Sequence, residues 1–226
     1  MGRMRNPERG FLSVLQQPEG LSMRTPDLRL SCAPYGAGLA VRAAILYVYF
    51  SVGTSMSANL PHETRPVIDF RDPAQGQAWT SVDDRVMGGV SASQMTVTAE
   101  GLVFSGEVSL AHNGGFASIR ARPRGYDLAG ATALLLRVRG DGQTYKLTLR
   151  TDDAFDGVQY QARFATQAGA WIDVGLPVAD FQPTFRGRIV EAPALDPTRI
   201  RIFGLLIADR QAGPFRLVVE SIRARF

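Results

Sequence analysis

A chain of 226 residues, 45% hydrophobic and 20% charged, has the make-up of an ordinary globular protein of one or two domains. Its net charge of +4 is uneven: residues 1–66 hold seven Arg against four acids, whereas residues 67–226 hold eighteen basic against seventeen acidic side chains. The longer part thus lacks the cation excess that phosphate neutralisation needs, which excludes nucleic acid as the expected partner. One cysteine, Cys32, and two histidines, His62 and His112, exclude an internal disulfide and a Cys-rich zinc site and leave little for a histidine-based metal centre or triad.

In chain order, residues 1–36 show no hydrophobic period and carry Pro, Gly and Arg throughout, the character of a disordered segment. Residues 37–53 are apolar but interrupted by Arg42, and the uninterrupted run from Ala43 to Gly53 is too short to span a bilayer. Two readings stand. Residues 1–65 are a disordered extension or lie upstream of the true start, with Met23 or Met56 as the natural beginning. Alternatively residues 37–58 act as a signal segment, with Arg42 as its charge and Ser55-Met-Ser-Ala58 near the cleavage region. The first reading places the protein in the cytoplasm, the second exports it or holds it near a membrane, with peripheral association and no transmembrane segment.

From Val67 onward the sequence reads as all-β. Phe116 to Arg122 alternates apolar and polar. Tyr145, Leu147 and Leu149 fall on one face of a strand, as do Val158, Tyr160, Ala162 and Phe164 of the next. The Ala133–Arg139 run, Ile200–Ala208 and Phe215–Arg223 complete the set. No stretch has the period of a long amphipathic helix; Val178–Phe181 suits one short turn. The Arg139-Gly-Asp-Gly-Gln143 phrase predicts a hairpin, because Asp141-Gly142 tolerates positive φ at both centres of a type I′ turn. Short strands at this spacing predict a single sandwich or jelly-roll domain over residues 66–226. Leu135, Leu147, Phe164, Trp171, Leu205 and Val218 are expected between its sheets.

Gly-rich phrases punctuate these strands. They are Trp79-Thr-Ser-Val-Asp-Asp-Arg-Val-Met-Gly-Gly-Val-Ser91, Asn113-Gly-Gly-Phe-Ala-Ser118 and Gly140-Asp-Gly-Gln-Thr-Tyr145. Trp171-Ile-Asp-Val-Gly-Leu-Pro177, Phe181, Phe185-Arg-Gly-Arg188 and Gly204-Leu-Leu-Ile-Ala-Asp209 follow in order. With this order and spacing the chain resembles the CIA30 family, that of complex I intermediate-associated protein 30, over roughly residues 66–226. The resemblance implies a galactose-binding-domain-like jelly-roll β-sandwich similar to carbohydrate-binding modules. It also implies a non-enzymatic assembly module without a cofactor, whose partner is a protein such as a respiratory-complex subunit or intermediate. A carbohydrate- or small-ligand-binding module of the same fold is the alternative.

The candidate docking residues are Asp83, Asp84, Met87, Gly88, Gly89 and Ser91 in the first loop and Asn113, Gly114, Gly115 and Phe116 in the second. Met is adaptable at binding surfaces and an exposed aromatic anchors interfaces; glycine admits positive φ and close backbone approach. The competing reading makes both loops mere turns. Neither phrase has the spacing of a nucleotide-phosphate loop. The Asp83–Asp84 pair has calcium as one alternative and turn capping as another. Arg120, Arg137 and Arg150 lie on strands and require acid partners, such as Asp84 or Asp152, if they point inward. Trp79 and Trp171 are core residues or, on a concave face, sugar platforms.

Overall fold

The computed structural model describes residues 63–226 apart from Phe155 and the side chains of Val86 and Met87. The expectations for residues 1–62, His62 and Cys32 included, lie outside the described residues. What is described is a sandwich of two antiparallel sheets. Its strands are β1 (Thr64–Asp69), β2 (Trp79–Ser81), β3 (Ala92–Thr98), β4 (Gly101–Val108), β5 (Ala117–Ala121), β6 (Ala133–Arg139), β7 (Thr144–Arg150), β8 (Gln159–Ala165), β9 (Trp171–Pro177), β10 (Gln182–Phe185), β11 (Arg188–Ile189), β12 (Ile202–Ile207) and β13 (Gly213–Arg225).

One sheet runs β3-β4-β13-β6-β9, with β1 on β13 where β4 ends; the other runs β11-β10-β8-β7-β12-β5-β2. The long β13 ties the first sheet together: Gly213–Val219 pair with β4 and Ser221–Arg225 with β1. The core fills the gap between the sheets, with Phe104, Leu136, Leu217 and Ile222 from one side and Ile119, Tyr145, Leu147, Phe203 and Leu205 from the other, each at most 1% exposed. Burying one such side chain contributes about 1.5–3 kcal/mol. Tyr145, Leu147 and Leu149 share the buried face of β7, and Tyr160, Ala162 and Phe164 that of β8, as the two-residue period requires.

Three expectations are corrected. Leu135 is only half-buried, because Leu134, Leu136 and Val138 take the core face of β6. Trp171 is half-buried outside the core, beside Arg139 and Arg137 at 5.0 and 5.7 Å from its ring. Val218 is buried, yet Leu217 and Val219 take the inner positions and Val218 pairs with Val103 on the other face. Trp79 is a core residue, edge-on to Phe70. A five-residue helix that no period announced, α1 (Pro73–Gln77), starts at Asp72, whose carboxylate caps Ala74 N–H at 3.0 Å, with Pro73 in the first turn. Val178–Asp180 forms the expected single turn.

The predicted hairpin at 139–143 is absent. β6 belongs to the first sheet and β7 to the second, so Gly140–Gln143 is a crossover. Asp141 accepts from Gln143 N–H (3.0 Å), Tyr145 Oη–H (3.0 Å) and Arg216 N–H (2.7 Å), which ties the corner to both sheets. Only Gly142 of the two central residues has positive φ. The return crossover between β8 and β9 lies against it: Gly169 N–H donates to Gly140 C=O (2.9 Å), Thr166 Oγ1 to Gln143 C=O (2.8 Å) and Gly142 N–H to Thr166 Oγ1 (3.1 Å).

Candidate functional site

After β2 the chain turns through Asp83 into a 3₁₀ turn, Asp84–Met87. Both aspartates point inward. Asp83 accepts from Ser93 N–H (2.8 Å), Ser93 Oγ–H (2.6 Å) and Ser118 N–H (3.1 Å), which pins the loop to β3 and β5. Asp84, 1% exposed, accepts from Ser91 N–H (2.9 Å), Ser91 Oγ–H (2.5 Å), Gly115 N–H (2.8 Å) and Phe116 N–H (3.4 Å). Burial pushes its pKa up; the Ser91 hydroxyl and the three backbone donors outweigh that and hold the carboxyl below the ordinary aspartate range. N–H and O–H donors face these oxygens, which is the capping alternative rather than the calcium one.

The glycines follow from this carboxylate. Gly89 and Gly114 have ordinary φ but press on Asp84: a Cβ would stand 2.3 Å from its Cγ at residue 89 and 2.5 Å from its Oδ2 at residue 114. Gly88 and Gly115 instead supply positive φ, 89° and 138°. The two glycine phrases are therefore opposite walls of one buried carboxylate. Asp83, Asp84, Gly89 and Ser91 are buried and hold the loops without presenting surface. Among the described residues the loops expose Arg85, Gly88, Val90, Leu110, Ala111, His112 and Asn113 to solvent, with Gly114, Gly115 and Phe116 half-buried. The Met87 side chain lies outside the described residues. His112 is exposed in the second loop.

Gly114, Gly115 and Phe116 also wall a cleft of about 570 Å³ on the outer face of the seven-stranded sheet. Alternation aims every second residue of four neighbouring strands into it: Ser118 and Arg120 from β5, Ile202 and Leu206 from β12, Lys146, Thr148 and Arg150 from β7, Gln159 and Gln161 from β8. Gly204 sits in register between Arg120 and Thr148 and adds no side chain; a Cβ there would lie 2.5 Å from Thr148 Oγ1. Arg186 and Gly187 close the far rim. Rim acids are engaged: Asp156 takes Arg186 at 2.6 Å, and Asp209 takes Lys146 at 2.8 Å together with Arg163. Arg150, 4% exposed, donates to Asp152 at 3.1 Å, the pairing expected for an inward Arg. Burial first, and then the like charge of Arg150, lower the pKa of Arg120.

Arg137 lies on the other sheet with Asp173, 2.9 Å away, and takes no part in the cleft. Of the cleft, the sequence singled out Arg120, Arg150 and the Asn113–Phe116 loop. Lys146, Thr148, Gln159 and Gln161 went unmarked. Their signal was position on the polar side of β7 and β8, which becomes a site once β12 and β5 are known to lie alongside. Among the described residues no helix is long and apolar enough to cross a membrane.

The family model of complex I intermediate-associated protein 30 (CIA30) matches residues 68–219. A Drosophila melanogaster protein named "Complex I intermediate-associated protein 30, mitochondrial" is 27% identical over 72% of this chain and 63% of its own length. The Mus musculus protein of the same name is 27% identical over 75% and 58%, so the chain spans about three fifths of the length of these curated relatives. Among solved structures, the family 11 carbohydrate-binding module of the Clostridium thermocellum cellulase Lic26A-Cel5E superposes with a TM-score of 0.53 at 11% identity, covering 73% of this chain and 95% of that one. That likeness establishes the galactose-binding-like sandwich and nothing about ligands. The cytoplasmic reading is corrected: the Drosophila, mouse and Neurospora crassa relatives are all named mitochondrial. With two thirds of its residues under one family model, the chain belongs to the complex I intermediate-associated protein 30 family.

Proposed function

We propose that this protein is a non-enzymatic assembly module that docks a protein partner of the respiratory complex I class. The observation that carries the reading is the fusion of two glycine loops into one rigid surface by the Asp84 carboxylate. Apolar Val90 and Leu110, 46% and 37% exposed, flank it, and Phe116 stands half-buried between loop and cleft. A small set of apolar anchors held by a rigid frame suits protein recognition, and the relatives' names refer to association with an intermediate.

The test is affinity capture of the tagged protein from its own cells, with and without Leu110→Ser and Phe116→Ala together. The wild type is expected to retain NADH:ubiquinone oxidoreductase subunits and the folded variant to lose them. Equal retention by both, or no such subunit with either, overturns the reading. The second reading, a carbohydrate- or small-ligand-binding module, draws on the polar cleft. Among the described residues the aromatic that lines the cleft is Phe116; Trp79 is in the core and Trp171 is on the other sheet.

A further inference from the structure

The cleft has a chemical bias that the rest of the domain does not share. Arg120, Lys146, Arg150, Arg186 and Arg210 line it against two acids, Asp156 and Asp209, while residues 67–226 as a whole are nearly neutral. Both acids sit at the rim and are already held by Arg186 and by Lys146 and Arg163. The floor between them carries Arg120 and Arg150, one strand apart across β12; Arg150 also donates to Asp152, and its like charge adds to burial in lowering the pKa of Arg120. Two guanidiniums converging on a concavity are stabilised by an oxyanion placed between them, and the fork geometry of arginine suits carboxylate and phosphate.

A second observation is independent of charge. Gln161 is 8% exposed and its side chain lines the cleft beside Gln159 and Thr148. Among the described residues no hydrogen bond engages its amide. The amide atoms still meet solvent through the cleft, so a ligand that displaces that water must supply their hydrogen bonds. An amide both donates and accepts, which is the pattern a hydroxyl group matches. Gly204, in register between Arg120 and Thr148, leaves the space in which such a molecule would rest.

We infer that this cleft binds a small hydroxyl-bearing molecule that carries a carboxylate or phosphate group, the anion between Arg120 and Arg150 and the hydroxyls on Gln161, Gln159 and Thr148. The inference deepens the small-ligand reading and is independent of protein docking through the loops.

The test is calorimetric titration of the full chain with sodium glucuronate, inorganic phosphate and neutral glucose. Saturable binding of glucuronate, with glucose weaker by about tenfold or more, is expected, since a charge-assisted contact is worth at least that factor. Its affinity should fall as NaCl rises, a readout that needs no variant. Arg120→Gln should weaken glucuronate and phosphate alike. Gln161→Leu should weaken glucuronate and spare phosphate, and Arg137→Gln on the other sheet should change neither. Phosphate binding as tightly as glucuronate in the wild type would place a bare-anion site here and overturn the hydroxyl half of the assignment. Failure of both anions to bind, equal affinity for glucose, or an unchanged folded Arg120→Gln variant overturns the site. Partner capture by Arg120→Gln separates the two readings, because it should match the wild type whatever the ligand result.

Discussion

Gly115 donates its backbone N–H to Asp84 Oδ2 at 2.8 Å, across thirty-one residues of chain. The contact joins the loop after β2 to the loop before β5, and it dictates what else those loops can contain. A buried carboxylate that accepts four hydrogen bonds leaves its donors orphaned when removed. Asp84→Ala should therefore destabilise the domain by on the order of 3 kcal/mol, read as a lower denaturant midpoint with an unchanged slope. Asp84→Asn should cost nearly as much, since one oxygen becomes a donor facing N–H groups. A midpoint within error of wild type for both variants would remove the carboxylate from this role.

The same group sets an acid limit. Its folded pKa lies below the ordinary value of about 3.9, so the unfolded chain binds the extra proton. The stabilisation is fully present above about pH 4 and is lost as pH falls through the folded pKa. Unfolding midpoints from neutral pH down to about pH 3 should drop, and Asp84→Ala should drop less over that range. Asp153 and Asp156, also lowered by their Arg partners, are exposed pairs and add little to this slope.

Neighbouring glycines should respond differently to the same methyl group. Gly88→Ala meets nothing within 4 Å and carries only the strain of φ 89°, about 1 kcal/mol. Gly89→Ala drives a Cβ to 2.3 Å from Asp84 Cγ and should lower the thermal midpoint further. Gly115→Val, at φ 138° with Leu110 Cδ2 3.3 Å from the added Cβ, combines both costs. Equal midpoints for Gly88→Ala and Gly89→Ala would contradict the packing explanation.

At the crossover, Asp141→Ala should cost more than Tyr145→Phe. The first removes the acceptor for three donors, the second one hydroxyl. A double-mutant cycle should show the two coupled through their 3.0 Å contact, and strict additivity would contradict it.

A chain that begins at Met56 should melt cooperatively and close to the full chain, because Thr64 already pairs with Arg225 and Glu63 C=O with Phe226 N–H. Loss of folded protein on that truncation would make residues 1–55 part of the fold.

Strands β5, β7 and β8 were legible because one of their faces is apolar and the other polar, so a two-residue period names both strand and orientation. In β6 and β9 the period does name a core face, Leu134, Leu136 and Val138 in the first and Ile172, Val174 and Leu176 in the second. Leu135 and Trp171 were assigned to the wrong side because an apolar run and a large aromatic were read as buried without regard to that alternation. Asp141-Gly142 carries the local chemistry of a tight turn, but turn chemistry does not say whether the next strand joins the same sheet or the opposite one. For α1 the Asp72-Pro73 start signal was present, and five residues were too few for a period. The glycine loops were legible as turns; that Asp84 unites them was not, since a contact across thirty-one residues has no local signature. The cleft needed the strand order β8-β7-β12-β5 before its polar residues became neighbours.

The two crossovers that lie against each other, Gly140–Gln143 and Thr166–Gly169, bear on how the protein opens. Each leads the chain from one sheet to the other, and their mutual hydrogen bonds mean that neither sheet can detach there while the other persists. Local opening is thereby suppressed at this end, so exchange of the Gly142, Thr166 and Gly169 amides with solvent deuterium should require global unfolding and proceed as slowly as in the strands of the core.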